Sequence, residues 1–329
     1  MSAAVIALTM ALATLLAAPA WSEPSSDQAS VVVVVGAPGE PEFETNFVKQ
    51  ASLWEKASAL AGARSVVVGG SDGVKTNDFE RLKQTLEAEP KEGRGDLWLV
   101  LIGHGTFDGK EARFNLQGPD LTADDLSSWL KPFRRPVAVI NTASASAPFI
   151  GKTSGTNRVV IAATRSGNEQ NFTRFGQYLS EAITDPQADL DQDGQISLLE
   201  AFLTASRRVA EFYKVEGRLA TEHALLDDNG DGLGTPADWF RGLRATKKPR
   251  ENARLDGLLA HQFHLIRSAA EQKLPPEQRA RRDALERAVI VFRENKGKVP
   301  EEDYYRGLEK LLLDLARFYE ADPAPSGSR

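Results

Sequence analysis

The sequence predicts an α/β protein: a mostly parallel sheet flanked by helices, followed by a helix–loop–helix segment and a C-terminal helical hairpin or bundle. Three observations predict it. Short, continuous apolar runs rich in β-branched residues recur along the first half, as strands buried on both faces require. Amphipathic helical patterns alternate with those runs, the order of parallel strands joined by crossovers. Beyond Thr173 the apolar period becomes helical.

Residues 1–22 carry no charged side chain, and Ala3 to Ala18 are almost wholly apolar. Ala18-Pro19-Ala20 gives a small-x-small cleavage pattern, so a signal peptide cut after Ala20 or Ser22 is expected, with a secreted or periplasmic destination. The run is shorter than the ~20 residues a bilayer span needs. No later segment is apolar enough to span, so no membrane span is expected after cleavage. A Ser/Pro/Glu-rich spacer then leads into the sheet region, residues 30–184. Strands are expected at Val31–Val35, Ser65–Val68, Leu97–Ile102, Pro136–Ile140 and Arg158–Ala163, with a small hairpin strand at Arg113–Leu116. Helices are expected at Phe47–Ala61, Asn77–Glu87 and Ala123–Leu130. Phe175, Leu179, Ala182 and Ile183 share a helical face, and Ser197–Tyr213 forms the next helix. Between these two helices lies a loop region, 185–245.

Residues 250–322 read as three amphipathic helices. The first carries Leu255, Leu258, Leu259, Phe263 and Ile266. Pro275-Pro276 opens the second and Pro300 the third, where proline's missing N–H costs nothing. The tail from Asp322 is Pro/Ser/Gly-rich.

Composition narrows the chemistry. The 329 residues contain no cysteine, which excludes a disulfide framework, thiolate metal sites and a cysteine nucleophile. The net charge is −6, with an acidic excess before Arg241 and a basic excess after it. The basic residues (Lys247, Lys248, Arg250, Arg279, Arg281, Arg282) have no aromatic platform beside them, so a solvated helical face is expected and no nucleic-acid partner.

Residues 189–200 hold the strongest motif. Oxygen donors stand at loop positions 1, 3 and 5 (Asp189, Asp191, Asp193), and Gly194 stands at position 6, where the chain must turn sharply. Gln195 at position 7 offers its carbonyl, Ser197 at 9 ligates through water, and Glu200 at 12 closes the cage with two oxygens. Hard cations take six to eight such oxygens, so this spacing is that of an EF-hand calcium loop, and Ca²⁺ is the expected cofactor. Helix, loop, helix is the context the motif needs.

A second stretch repeats the first half of the pattern. Asp227, Asn229 and Asp231 take positions 1, 3 and 5, Gly232 takes 6, and Asp238 falls at 12. Gly234 occupies position 8, where paired loops carry an apolar β-branched residue. Thr235-Pro236-Ala237-Asp238 also reads as a capping box opening a helix that carries Trp239 and Phe240. Two readings stay open: a second metal site, or an Asx/Gly turn leading into a capped helix.

In the sheet region the strand Leu97–Ile102 ends in Gly103-His104-Gly105, and the strand after it ends in Asn141-Thr142-Ala143-Ser144-Ala145-Ser146. Side chains at the carboxyl ends of parallel strands are where open α/β sheets build sites. This arrangement resembles the caspase-like fold, in particular the legumain and GPI-transamidase branch of cysteine peptidases. There one strand ends in His-Gly and the next carries a segment like Asp-Thr-Cys-x-x-Ser. The resemblance covers roughly Val31 to Ile183 and places His104 on the family histidine and Ala143 on the nucleophilic cysteine. Taken whole, the chain resembles secreted bacterial proteins that join such a sheet to an EF-hand loop.

The resemblance therefore implies a peptidase fold without its nucleophile, because the family chemistry needs a thiolate beside the histidine. The reading that follows is a secreted calcium-binding protein acting as a binding or regulatory module for a protein or peptide partner, with His104 a relic. The alternative is a calcium-dependent hydrolase or transpeptidase in which Ser144 works with His104; it needs a base within ~3 Å of the hydroxyl. Asp108 either orients His104 or caps a turn. His223, His261 and His264 read as structural or surface groups. The terminal helices either pack on the sheet or dock a partner.

Overall fold

The structure, a computed structural model, describes residues 26–70, 77–251 and 253–321. The expected signal peptide lies outside the described residues. The first half runs β1 (Ser30–Val35), α1 (Pro41–Leu60), β2 (Arg64–Gly69), α2 (Asp78–Ala88), β3 (Leu97–Ile102), β4 (Gly105–Phe107), β5 (Ala112–Phe114), β6 (Leu121–Thr122), α3 (Ala123–Leu130), β7 (Val137–Asn141) and α4 (Pro148–Thr153). The second half runs β8 (Arg158–Ala162), α5 (Phe175–Ala182), α6 (Leu198–Val215), β9 (Leu225–Asp227), β10 (Thr235–Pro236), β11 (Phe240–Arg241), β12 (Arg244–Ala245), α7 (Ala269–Lys273), α8 (Pro276–Arg293) and α9 (Glu301–Ala321).

The main sheet has the order β10-β9-β8-β7-β3-β1-β2. The five strands from β8 to β2 are parallel, and β9 and β10 are antiparallel at one edge. The reason for continuous apolar strands is visible in the register. Val31, Val33 and Val35 of β1, with Trp98, Val100 and Ile102 of β3, enter one core under α1, α5 and α6. Val32 and Val34, with Leu97, Leu99 and Leu101, enter the other core under α2, α3 and α4. Side chains alternate across a strand, so a strand covered on both faces must be apolar at every position.

α1 starts at Pro41, six residues before the expected Phe47, because Pro41 takes the first helical position with Glu42 and Glu44 in the first turn. α3 starts on a capping box between Thr122 and Asp125. After β3 the chain forms a small sheet of β4, β5 and β6, which includes the hairpin strand expected from the sequence.

The C-terminal region differs from its expectation. α8 and α9 form the expected hairpin and pack on each other, stacking Phe292 on Tyr304 with ring centroids 5.8 Å apart. The helix expected over Leu255–Ile266 does not form. Only one 3₁₀ turn, Ala260–Gln262, interrupts an extended strap. Long-range bonds take the backbone groups a helix would use. The Asp228 carboxylate accepts from the N–H of Gly257 and Ala260, the Leu198 N–H donates to the Phe263 carbonyl, and Ser197 bridges to His264. Gly257 sits at φ 102°, outside any helix. The apolar residues Leu259, Phe263 and Ile266 still serve the core: Phe263 meets Trp98 edge-on with centroids 5.7 Å apart. The helix expected after Pro236 is likewise a single 3₁₀ turn, Ala237–Trp239, followed by the β11–β12 hairpin. No helix among the described residues is long and apolar enough to cross a membrane.

Candidate functional sites at the strand ends and the Asp loop

His104 leaves β3 at its carboxyl end, half-buried in a cage of phenylalanines. Its ring centroid lies 4.6 Å from Phe43, 5.1 Å from Phe47 and 6.1 Å from Phe172. The Nε2 atom is 3.1 Å from the Pro38 carbonyl, which can only accept, so Nε2 carries the hydrogen. Burial among the rings holds the imidazole below its ordinary pKa, against the opposing hydrogen bond to Pro38.

Ser144 lies on the loop after β7, and its hydroxyl is committed elsewhere. Oγ donates to the Gly105 carbonyl at 3.0 Å and accepts from the Gly105 N–H at 3.1 Å. The approach is so close that a Cβ on Gly105 would stand 2.1 Å from the Ser144 carbonyl oxygen. This serine rivets the turn after β3 to the loop after β7, and the Ser144–His104 pair expected under the hydrolase reading is not formed. Ala143 beside it is buried, its N–H held by the Asn141 side chain. Asp108 caps its own turn, accepting from the N–H of Lys110 and Glu111, and does not orient His104.

The same strand ends hold groups the sequence did not flag. Ala145 adopts φ 54°, a backbone conformation that L-residues rarely hold, and donates its N–H to the Glu169 carbonyl. The Glu169 side chain in turn takes His223 Nδ1 at 2.6 Å and Arg165 Nε at 3.1 Å. Glu222 is buried and caps α5 from a distance, accepting from the N–H of Arg174 and Phe175 and from the Tyr213 hydroxyl. Burial raises its pKa against those bonds. No local pattern announces these partners, because each pair lies far apart in the chain.

The loop 189–200 runs between a 3₁₀ turn, Pro186–Ala188, and α6. The carboxylates of Asp189, Asp191 and Asp193 converge, each offering an oxygen within 4.8 Å of the others. Gly194 takes φ 86° at the sharp turn and donates its N–H to Asp189 at 3.0 Å. Asp193 donates its N–H to Asp191 at 3.3 Å, and Gln195 donates its N–H to Asp193 at 3.0 Å. Burial, then the charges of Asp191 and Asp189, raise the Asp193 carboxyl above its ordinary range, against bonds from Gln195. A hard cation suits a set of crowded oxygens of this kind.

The other expected ligands sit differently. Ser197 caps α6 with its hydroxyl in a capping box with Glu200. Glu200 is buried and fully engaged: Oε1 accepts from the N–H of Leu190 and Asp191, and Oε2 from the N–H and hydroxyl of Ser197. It holds the two ends of the loop together beside the three aspartates. The strap packs along the loop. His261 Nε2 lies 3.0 Å from Asp191, and the Gln195 side-chain oxygen accepts the Ser268 N–H at 3.2 Å. Burial, then the neighbouring His261, pushes His264 down to about 4.

The second loop repeats this wiring without the exit helix. The Gly232 N–H donates to Asp227 at 3.1 Å, Asp231 to Asn229 at 2.8 Å, and Leu233 to Asp231 at 2.8 Å. It then closes as the β9–β10 edge hairpin, and Asp238 falls on the exposed 3₁₀ turn. The two loops do not pair with each other; Ser197 of the first bridges to the strap. Behind the second loop lies a buried carboxyl pair. Asp256 accepts from the N–H of Asp228 and Asn229 and from the Thr235 hydroxyl. Burial and then the Asp228 charge push Asp256 up to about 8.

No family model matches this chain, and no curated protein matches it. Among solved structures, a caspase-1 from Spodoptera frugiperda aligns with 64% of this chain and 90% of its own at 11% identity and a TM-score of 0.41. The Drosophila initiator caspase Dronc aligns with 65% of this chain and 85% of its own at 12% identity and a TM-score of 0.41. A similarity of that size assigns neither a family nor an activity.

Proposed function

We propose that the chain is a secreted calcium-binding protein on a caspase/legumain-like scaffold, acting as a binding or regulatory module without peptidase activity. One observation carries the calcium reading: three aspartate carboxylates converge around a left-handed glycine, at the spacing of an EF-hand loop. Asp189, Asp191 and Asp193 would hold the cation, with the Gln195 carbonyl, Ser197 through water, and Glu200. The aspartates fit a hard cation as they stand; Glu200 fits it on exchanging its backbone bonds for the metal. Bound Ca²⁺ would neutralise the clustered carboxylates, so metal binding and folding are coupled here.

The absence of peptidase activity rests on three groups. Ala143 has no nucleophile, the Ser144 hydroxyl is spent on Gly105, and His104 faces phenylalanines and a carbonyl. The partner, on this reading, is a protein or peptide received at the strand ends around His104, with no nucleic acid involved.

The test is thermal unfolding in calcium and in chelator, run on wild type and on the Asp189→Ala/Glu200→Gln variant. Wild type should melt several degrees higher in calcium and the variant should not respond; a wild-type curve indifferent to calcium removes the proposal. Labelling with a serine-directed fluorophosphonate should leave wild type and Ser144→Ala alike unmarked. Label on wild type that Ser144→Ala loses would restore the hydrolase reading.

A further inference from the structure

Away from both the strand ends and the Asp loops' cages, the middle of α6 faces the start of α5 and the β9–β10 edge across a pocket of about 170 Å³. Its walls are mostly apolar, with Phe175, Val209, Ala224 and Pro236 among them. The polar groups are few and of one kind. Among them Ser206 Oγ is shut from solvent without a hydrogen-bond partner, an arrangement that costs free energy unless something fills it.

His223 lines the pocket and gives its Nδ1 to the Glu169 carboxylate. A carboxylate accepts the bond, so Nδ1 carries the hydrogen, and the neutral ring keeps Nε2 as an acceptor. Glu222 adds a buried carboxylate, and Asp238 an exposed one at the rim. The lining contains no lysine or arginine. A hydroxyl, an imidazole lone pair and two carboxylates together select a donor with positive charge.

We propose that this pocket binds a small organic ammonium compound with a compact apolar body, about one ring in size. The size follows from the volume: an apolar cavity of about 150 Å³ takes one benzene. The charge follows from the lining, where the ammonium group meets Asp238 and the His223 ring while the apolar body lies along Phe175, Val209 and Pro236. Nothing in the calcium loop is needed for this site, so it stands apart from the proposed function.

Isothermal titration calorimetry on the full chain tests it, with benzylamine as the probe and benzyl alcohol as the neutral compound of the same size. Benzylamine should bind at one saturable site, in calcium and in chelator, at least tenfold more tightly than benzyl alcohol. Asp238→Asn, a change at an exposed carboxylate, should weaken benzylamine about tenfold and leave benzyl alcohol unchanged. Ala210→Phe, which places a ring into the pocket from an exposed position on α6, should remove binding of both without lowering the melting temperature. No saturable benzylamine binding, equal affinity for the two compounds, or full affinity in Asp238→Asn would each overturn the proposal.

Discussion

The two aspartate loops share the wiring of their first seven positions and differ in everything after it. In both, the position-1 carboxylate takes the N–H of the position-6 glycine, position 3 takes the N–H of position 5, and position 5 takes that of position 7. Both glycines are left-handed, Gly194 at φ 86° and Gly232 at φ 75°. The first loop then enters α6 through Ser197 and Glu200. The second becomes a hairpin at the sheet edge. The Asp-x-Asp/Asn-x-Asp-Gly half is thus a turn in its own right, as side chains that bond their own backbone make it. The exit helix is what brings a buried glutamate to the first loop.

Position 2 separates them as sharply. Leu190 is exposed, whereas Asp228 is buried and holds the strap through Gly257 and Ala260. The first loop presents its acids outward; the second turns one inward as a structural bond. The largest effect that could break this contrast is therefore at Asp228. Asp228→Ala should destabilise the protein by about 3 kcal/mol in denaturant unfolding, since it leaves buried N–H groups unpaired. Leu190→Ala should leave the unfolding midpoint unmoved. Equal effects of the two would mean that position 2 does the same work in both loops.

A second contrast is in pH. Asp256 keeps its proton up to about 8 when folded, while an unfolded aspartate releases it near 4. Between those values the folded chain holds a proton that the unfolded chain has lost, so stability is full below about 4 and declines as pH rises through 8. The decline is at most about 1.4 kcal/mol per pH unit for one proton. Asp256→Asn, which imitates the protonated group, should flatten that slope and raise the melting temperature at pH 8. An unchanged slope would place the charge burden elsewhere than behind the second loop.

The smallest expected effect is at the strap. His261→Ala removes the partner of Asp191, and both groups are partly exposed, so the melting temperature should shift by about 1 °C or less, because such pairs contribute little. A loss of calcium response in this variant would make the strap, and not the aspartates, the seat of the site.

How much of this was legible depended on distance along the chain. The parallel strands were readable because burial on both faces forces continuous apolar runs, as in Val31–Val35 and Leu97–Ile102. The aspartate convergence was readable because turn and donors lie within seven residues. The strap was not. Leu255, Leu258, Leu259, Phe263 and Ile266 fit a helical period, but Asp228, Leu198 and Ser197 claim the backbone between them from afar. Ser144 was misread for the same reason, since its partner Gly105 is 39 residues away. Glu169–His223, Glu222 and the Asp228–Asp256 pair left no local trace at all.

The comparison comes to a single claim, that the first loop is a calcium cage and the second its structural half-copy. Calcium titration by calorimetry tests it most directly, on wild type, Asp189→Ala/Glu200→Gln and Asp227→Asn/Asp231→Asn. One site in wild type, lost in the first variant and kept in the second, is the result this account predicts. A site that survives in the first variant and vanishes in the second would contradict it.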